Sequence, residues 1–331
     1  METKNRNLMA ARPIIASPPA TSFQANIAPI EGMPLRGLWT AAVTPVDASY
    51  RCDVARLAAH CRRLLDRGCD GVALFGTTGE GPAFSAAERA RALEGLLAAS
   101  LPPGRLIVSA SSATLPDSIE LARQATKAGV AGVLLMPPFF FRDGIGDEGI
   151  FRFYAALIDQ IGEPALRALL YHIPGASGVP VRPPVIRRLV ERYPRTIVGI
   201  KDSGGDWGYT EELLRRFSRL AIFTGTETHI HLALQQDGAG TICGLGNVIA
   251  PLLRRLFDAP DITERRRLIP LIQKTDSMMS RGAFIACLKA WIAAETGDAA
   301  WSRLLPPMAP LPAVEAARLA ADFRAFLNET D

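Results

Sequence analysis

The chain has 331 residues, of which 48% are apolar, and a formal net charge of +4; this length suffices for one large domain of about 250 residues with extensions. Acidic and basic residues are mixed along the whole chain, which excludes the clustered basic surface that nucleic-acid binding requires, and no apolar run approaches the roughly 20 residues that span a bilayer. The five cysteines show no C-x2-C spacing, which indicates neither a disulfide framework nor a zinc site and favours a reducing, cytoplasmic location.

The first 34 residues differ in character from the rest of the chain. They contain Pro, Ser, Ala and Asn without clear periodicity, and they lack the compact apolar core of a secretory signal. We predict an N-terminal arm over residues 1–34 that is disordered or extended.

From residue 35, short apolar runs alternate with longer stretches of helical period, a pattern typical of βα units around a parallel sheet. Helix-start signals support these units: Asp53, Ser85 with Glu88 as a capping box, and Pro116 in a first turn. Eight runs predict strands, at residues 38–43, 71–75, 106–109, 132–136, 168–171, 197–200, 221–223 and 240–242. Eight units favour a closed barrel over an open sheet. We therefore predict an α/β fold, a (β/α)8 TIM barrel over residues 35–257.

The strand pattern stops after about residue 257. Three helical stretches follow, near residues 262–280, 283–296 and 313–327. They predict a C-terminal helical extension over residues 258–331 that packs on the barrel.

In such a barrel the active site lies at the carboxyl ends of the strands, and Lys201 directly follows the sixth predicted strand. Of the 37 basic residues only five are lysines, and the other 32 are arginines. The lysines are Lys4, Lys127, Lys201, Lys274 and Lys289. A lysine in this background indicates chemistry that arginine cannot perform, namely loss of its proton in an apolar pocket and attack on a carbonyl. A solvated lysine at a strand end is the alternative interpretation.

Two other segments place polar groups at the same end of the predicted barrel. Tyr171 ends the fifth predicted strand, so that its phenol could transfer protons there; a purely packing role is the alternative. Thr77 and Thr78 follow the second strand between Gly76 and Gly79, which would let backbone N–H groups approach a carboxylate closely. A plain helix-entry turn would have the same composition.

These three segments together resemble the dihydrodipicolinate synthase and N-acetylneuraminate lyase family of class I aldolase-type barrels. The sequence GTTGE at residues 76–80 matches the family's G-[ST]-T-G-E loop. YHIP at 171–174 matches its Y-[NH]-x-P motif, and GIKDS at 199–203 matches its G-[IVL]-K-[DE]-[AST] motif. The order and separations agree as well, and the resemblance extends from about residue 36 to 329.

The resemblance implies a role for each matching residue. Lys201 would form a Schiff base with pyruvate, or with a 2-keto acid that contains a pyruvyl unit, and Tyr171 would transfer protons. Thr77 and Thr78 would bind the carboxylate, with Thr77 also hydrogen-bonded to Tyr171, and the backbone at Ile242 would line the pyruvate pocket. The family further implies a homotetramer built as a dimer of dimers. It implies no metal and no organic cofactor, since the iminium is itself the electron sink.

Two positions depart from the synthase branch of the family. That branch carries a relay tyrosine after strand four, where this chain has Phe140, and an arginine five residues after the motif tyrosine, where this chain has Ala176. The resemblance therefore does not imply true dihydrodipicolinate synthase activity.

The match to the sialic acid lyase branch is also incomplete. That branch gathers acidic and hydroxyl residues around a polyhydroxylated tail. Ser203, Gly225 and Glu227 keep part of this substrate-binding pattern, whereas Gly244 stands where a serine is expected. The resemblance implies a tail that is shorter or less hydroxylated than a sialic acid.

Three functions remain open from the sequence. The first is an aldolase or lyase that cleaves a 2-keto acid to pyruvate and an aldehyde, or condenses them. The second is a 2-keto-3-deoxy sugar-acid dehydratase, and the third is a catalytically silent pyruvate-binding barrel. Joint retention of Lys201, Tyr171, Thr77 and Thr78 speaks against the third, because a binder would not need the amine.

Overall fold

The computed structural model describes residues 35–330, so the predicted arm at residues 1–34 lies outside the described residues. Eight parallel strands pair in chain order, and β8 pairs with β1 to close the barrel. The strands are β1 Gly37–Ala41, β2 Gly71–Leu74, β3 Leu106–Ser109, β4 Gly132–Leu135, β5 Ala168–His172, β6 Ile197–Asp202, β7 Ala221–Thr224 and β8 Gly240–Cys243. The predicted (β/α)8 TIM barrel is confirmed.

Helices cover the outside of the barrel and continue past its last strand. They are α1 Val54–Asp66, α2 Ala86–Ala98, α3 Leu115–Lys127, α4 Asp147–Ile161, α5 Pro174–Ser177, α6 Pro183–Arg192, α7 Trp207–Arg216, α8 Ile230–Gln235, α9 Gly246–Asp258, α10 Ile262–Met279, α11 Phe284–Thr296 and α12 Ala313–Thr330. The last three confirm the predicted C-terminal helices, while the division of the chain into units at residues 34 and 257 stays a prediction. Within residues 35–330, none of the helices has the length and apolarity needed to cross a bilayer.

The predicted helix-start signals act largely as expected. The side chains of Asp53 and Ser85 each accept a hydrogen bond from the backbone three residues further on, and Pro116 lies in the first turn of α3. The capping box is only half formed, because the Glu88 carboxylate accepts from Cys52 N at 2.7 Å. Glu88 thereby ties α2 to the segment that precedes α1.

Two apolar cores meet at the wall of the barrel. Side chains alternate between the two faces of a strand, so one set fills the barrel and the other packs against the helices. The inward set includes Trp39, Ala41, Ala73, Ile107, Leu134, Leu169, Tyr171, Val198, Phe223 and Ile242. The outward set belongs to a larger core shared with the helices. Residues that face inward at the carboxyl ends of the strands therefore share one enclosed space.

Candidate active site

Lys201 and Tyr171 lie side by side at the carboxyl ends of neighbouring strands. They are register partners in β6 and β5, and Lys201 is also paired with the inward-facing Phe223 of β7. β6 continues two residues past the predicted end, because Asp202 still pairs with both neighbouring strands. Lys201 is therefore the penultimate residue of the strand, and its side chain shares the inward face with the tyrosine.

The amine of Lys201 faces the ring of Tyr171. Its Nζ lies 4.5 Å from the ring centroid, a distance at which a cation is attracted to the face of the ring. The two residues are only 4% and 2% exposed. Lys201 forms no ion pair with any residue in the part of the chain that the structure describes. The amine is thus buried against the Tyr171 ring and pairs with no carboxylate of residues 35–330.

The turn after β2 brings Thr77 to the same place. Thr77 Oγ1 lies 3.3 Å from the Tyr171 hydroxyl, and Thr77 and Thr78 are both partly exposed. The backbone N–H of Glu80 donates to Thr77 O at 3.1 Å and closes the turn. A lysine amine, a phenol and a threonine hydroxyl thus line up along the mouth of the barrel.

The two ends of this turn have strained backbones. Phe75 and Glu80 have φ values of 55° and 56°, in the left-handed region that bulky residues avoid at a cost of about 1–3 kcal/mol each. A Cβ at Gly79 would stand 2.9 Å from Ala42 O, and Thr44 Oγ1 donates to Gly79 O at 2.7 Å. Contacts from neighbouring segments therefore hold the turn in one conformation.

The residues that follow the tyrosine and the lysine fix the ends of β5 and β6 from outside the barrel. The ring of His172 stacks on Tyr209 with centroids 4.1 Å apart. Asp202 Oδ2 accepts a hydrogen bond of 2.5 Å from the hydroxyl of Thr210 in α7. Burial lowers the pKa of His172, against the raising effect of the Asp202 carboxylate. These contacts limit how far the two strand ends can move apart.

Ser203 and Gly225 lie against each other after β6 and β7. Gly225 N donates to Asp202 O at 2.6 Å, and a Cβ at position 225 would overlap Ser203 Oγ. A side chain at position 225 would force the Ser203 hydroxyl to move. The structure therefore brings together these two sequence-predicted residues at the mouth.

Glu227 is tied to the loop after β8. Its Oε1 accepts from the backbone N–H groups of Gly244 and Leu245 at 3.0 and 2.9 Å. Burial raises the pKa of the carboxyl, and these amides oppose that effect. Ile242, in β8 itself, is fully buried in the barrel interior. Glu227 thus has a structural contact that its position in the sequence did not reveal.

An aromatic ring occupies the space where the lyase branch would carry a serine side chain. A Cβ at Gly244 would stand 2.5 Å from Cε1 of Phe284 and 3.6 Å from Thr78 Oγ1. Phe284 is the first residue of α11, so the C-terminal helices contribute to the mouth of the barrel. Sequence reasoning missed Phe284 because no local motif marks it and it lies far along the chain from the residues it meets.

The loop after β4 exposes two further aromatic rings. Phe140 and Phe141 are 69% and 79% exposed and pack edge to face, with ring centroids 5.0 Å apart. Phe139 packs against the inward-facing core. Ala176, which stands in place of the synthase arginine, lies in the short helix α5. The loop after β4 therefore packs one aromatic ring against the barrel core and presents two to solvent.

The closed barrel, with polar groups gathered at the carboxyl ends of its strands, is the architecture of a (β/α)8-barrel enzyme. The sequence model of the Dihydrodipicolinate synthetase family matches residues 34–325. An uncharacterized DapA-like lyase of Chloroflexus aurantiacus is 33% identical over 302 residues, which cover 89% of this chain and 98% of the relative. The chain therefore belongs to the dihydrodipicolinate synthetase family and is an enzyme of its lyase and aldolase kind, as the motifs predicted.

Solved structures agree with this assignment. The crystal structure of dihydrodipicolinate synthase from Agrobacterium tumefaciens is similar with a TM-score of 0.79 at 29% identity, covering 88% of this chain and 99% of that chain. YagE, a prophage protein of the dihydrodipicolinic acid synthase family from E. coli K12 solved in complex with pyruvate, has a TM-score of 0.78 at 21% identity, covering 88% and 98%. The similarity to YagE, at this lower identity, shows only that the two proteins share a fold.

Proposed function

We propose that this enzyme forms a Schiff base between Lys201 Nζ and the C2 carbonyl of pyruvate or of a 2-keto acid that contains a pyruvyl unit. One observation carries the proposal: a buried lysine amine that pairs with no carboxylate among the described residues faces Tyr171, whose hydroxyl is within reach of Thr77. Thr77 and Thr78, in a turn open to solvent, bind the substrate carboxylate. The backbone at Ile242 lines the pyruvate pocket.

The proton transfers follow from this arrangement. The free amine of Lys201 attacks C2; Tyr171 gives a proton to the carbonyl oxygen and regains one from the lysine nitrogen, which yields a carbinolamine. A second proton from Tyr171 lets water leave, and the protonated imine and a tyrosine phenolate remain. The phenolate then accepts the proton of the C4 hydroxyl while the C3–C4 bond breaks and its electron pair moves into the imine. The aldehyde departs, C3 of the enamine is protonated, and hydrolysis releases pyruvate.

The same imine supports a second reaction. If a base removes the C3 proton and the C4 hydroxyl leaves as water, the enzyme is a 2-keto-3-deoxy sugar-acid dehydratase rather than an aldolase. A silent pyruvate-binding barrel is disfavoured, because binding alone would not require a buried amine beside a phenol. Incubation with 2-keto-3-deoxy acids, followed by assays for pyruvate release and for water loss, separates the three functions.

The lining of the mouth supports a substrate tail with few hydroxyl groups. Phe284 fills the space of the missing serine beside Gly244, and Glu227 Oε1 is already bound to backbone amides. Ser203 and Gly225 remain at the mouth as the proposed contacts to the tail. An aldehyde partner shorter or less hydroxylated than that of a sialic acid fits this lining.

Trapping with borohydride tests the Schiff base. Reduction in the presence of pyruvate should leave one stable pyruvyl adduct, and peptide mass spectrometry should locate it on Lys201. Lys201→Arg should abolish both trapping and turnover, since a guanidinium stays protonated at any workable pH. The matched control is Lys274→Met, at an exposed position of α10, which should trap like the wild type. An adduct on Lys127, Lys274 or Lys289 instead, or no adduct, would overturn the mechanism.

We further propose that the enzyme is a homotetramer built as a dimer of dimers and works in the cytoplasm. The exposed pair Phe140 and Phe141 supports self-association, because aromatic residues are enriched where protein surfaces meet. All five cysteines are free thiols, which is compatible with a reducing compartment.

A further inference from the structure

A buried ion pair joins the turn after β2 to the C-terminal helices. Lys289 lies in α11, and its Nζ is 2.5 Å from Oε1 of Glu80, with both side chains fully buried. Glu80 is the last residue of the GTTGE segment that contains Thr77 and Thr78. The contact therefore links the proposed carboxylate-binding turn to a helix that follows the barrel in the chain.

Both charged groups have further partners on the C-terminal segment. Glu80 Oε2 accepts from Leu305 N at 2.8 Å, and Lys289 Nζ donates to Arg303 O at 2.8 Å. Burial lowers the pKa of Lys289, and the Glu80 carboxylate opposes this. Two charges taken out of water carry a desolvation penalty, so that a buried pair is weak grounds for a purely stabilising role. The pair therefore indicates that the turn after β2 has to be held in a fixed position.

The pair is placed to control the turn. The backbone N–H of Glu80 closes the turn on Thr77 O, and the left-handed φ of Glu80 needs outside contacts to persist. Thr77 Oγ1 is in turn 3.3 Å from the hydroxyl of Tyr171. A shift of the Glu80 side chain would therefore displace the peptide that sets the distance between Thr77 and Tyr171.

We propose that Lys289 is a positioning residue for the reaction: through Glu80 it holds Thr77 and Thr78 in the geometry that receives the substrate carboxylate. This inference rests on the proposed function. A lysine suits the position because its compact ammonium fits between the Glu80 carboxylate and Arg303 O, where a planar guanidinium would need more space. The C-terminal helices thus complete the site from outside the barrel.

The test measures the pyruvate concentration that gives half-maximal borohydride trapping on Lys201. Lys289→Met should raise this concentration by about 10- to 100-fold, because displacement of a binding group by about 1 Å costs up to that factor. Trapping at saturating pyruvate should remain on Lys201. The matched control is Glu295→Gln: Glu295 lies in the same helix and pairs with Arg63 of α1 and with Arg67, which directly follows α1, at 2.5 and 2.9 Å, away from the turn. The Glu295→Gln protein should unfold at a lower temperature than the wild type, but the pyruvate concentration for half-maximal trapping should be unchanged.

A second variant covers the case in which Lys289→Met does not fold. Glu80→Gln combined with Lys289→Met leaves no buried charge unpaired, and the amide oxygen can still accept from Leu305 N. Its half-saturation should also be raised, by about tenfold, the equivalent of roughly 1.4 kcal/mol of binding free energy. Wild-type half-saturation in either folded variant, or an equal rise in Glu295→Gln, would overturn the positioning role. If the wild-type enzyme traps no pyruvate, the proposed Schiff base is wrong. If the wild type traps pyruvate but the variants match it, only the positioning role of Lys289 is wrong.

Discussion

Lys201 and Lys289 are both buried lysines in a chain that otherwise uses mainly arginine, yet their surroundings differ in one respect. Lys289 is bound on two sides, by the Glu80 carboxylate and by Arg303 O. Lys201 meets the face of a phenol ring and has no ion pair among the described residues. The scarcity of lysine drew attention to Lys201 alone, and only the structure shows that Lys289 is buried as well and is paired with a carboxylate.

At the residue scale, Tyr171→Phe tests the proton transfers separately from the Schiff base. The variant keeps the ring that faces the Lys201 amine and removes only the hydroxyl near Thr77. We expect turnover to fall by about 10²–10⁴-fold, the usual loss for one positioned proton-transfer group. Adduct should still accumulate on Lys201 during long incubation with pyruvate and borohydride.

Comparison with Tyr193→Phe controls for loss of a tyrosine hydroxyl in general. Tyr193 follows α6, and its hydroxyl donates to Asp159 Oδ1 at 2.8 Å. Its backbone O accepts from Ile197 N at the amino-terminal end of β6, opposite to the carboxyl ends. Its rates of turnover and trapping should equal those of the wild type. Equal rates for Tyr171→Phe as well would remove the tyrosine from the mechanism.

At the element scale, the sequence predicted which segments are strands better than where they end. Periodicity placed the end of β6 at residue 200, but Asp202 is still paired with β5 and β7. Strand ends depend on partners that are distant in the chain, and a local pattern carries no information about them. The same holds for Glu88: its spacing from Ser85 predicted a reciprocal cap, whereas its carboxylate binds Cys52 N.

The packing of α11 against the loop after β8 gives a stability prediction. Gly244→Ser introduces the serine expected from the lyase branch but places Cβ 2.5 Å from the Phe284 ring. We expect a loss of about 1–3 kcal/mol in the free energy of unfolding, as for overpacked cores. In a protein that already carries Phe284→Ala, the same serine substitution should lower the free energy of unfolding by less than it does in the wild type.

Denaturant unfolding of these variants measures the coupling between the two positions. Gly104→Ser is the control, because a Cβ at that position meets nothing within 4 Å, and its stability should remain within about 0.5 kcal/mol of the wild type. If Gly244→Ser were equally harmless, Phe284 would not limit the space beside Gly244.

At the scale of the whole molecule, the sequence predicted the barrel and the convergence of three motifs at one rim, because they stand at the ends of three strands. The approach of Thr77 to Tyr171 was implied by the resemblance to the family. It did not predict the contribution of the C-terminal helices. Phe284 and Lys289 belong to no motif near the barrel, and helical periodicity shows that α11 is a helix but not which loop it touches. Long-range packing of this kind follows from the tertiary fold alone.

The site as a whole should be a poor dihydrodipicolinate synthase. Phe140 has no hydroxyl for a relay, and Ala176 offers no guanidinium for the carboxylate of aspartate semialdehyde. Condensation of that aldehyde with pyruvate should be slower than ordinary turnover by at least the 10²–10⁴-fold expected for one missing proton-transfer group. A coupled assay measures it, with pyruvate trapping in the same preparation as proof of active enzyme. Turnover of around 1–10³ s⁻¹ would show that the branch assignment is wrong.

The ion pair between Glu80 and Lys289 also bears on when the enzyme becomes active during its synthesis. About 200 residues separate the two partners, so at about 5–20 residues per second the ribosome needs roughly 10–40 seconds to deliver the second after the first. Until then the Glu80 carboxylate has no counter-ion and stays solvated, which opposes early burial of the turn that it closes. The nascent chain can thus form βα units one after another while its carboxylate-binding turn stays unfinished, and the turn is completed only after α11 has emerged.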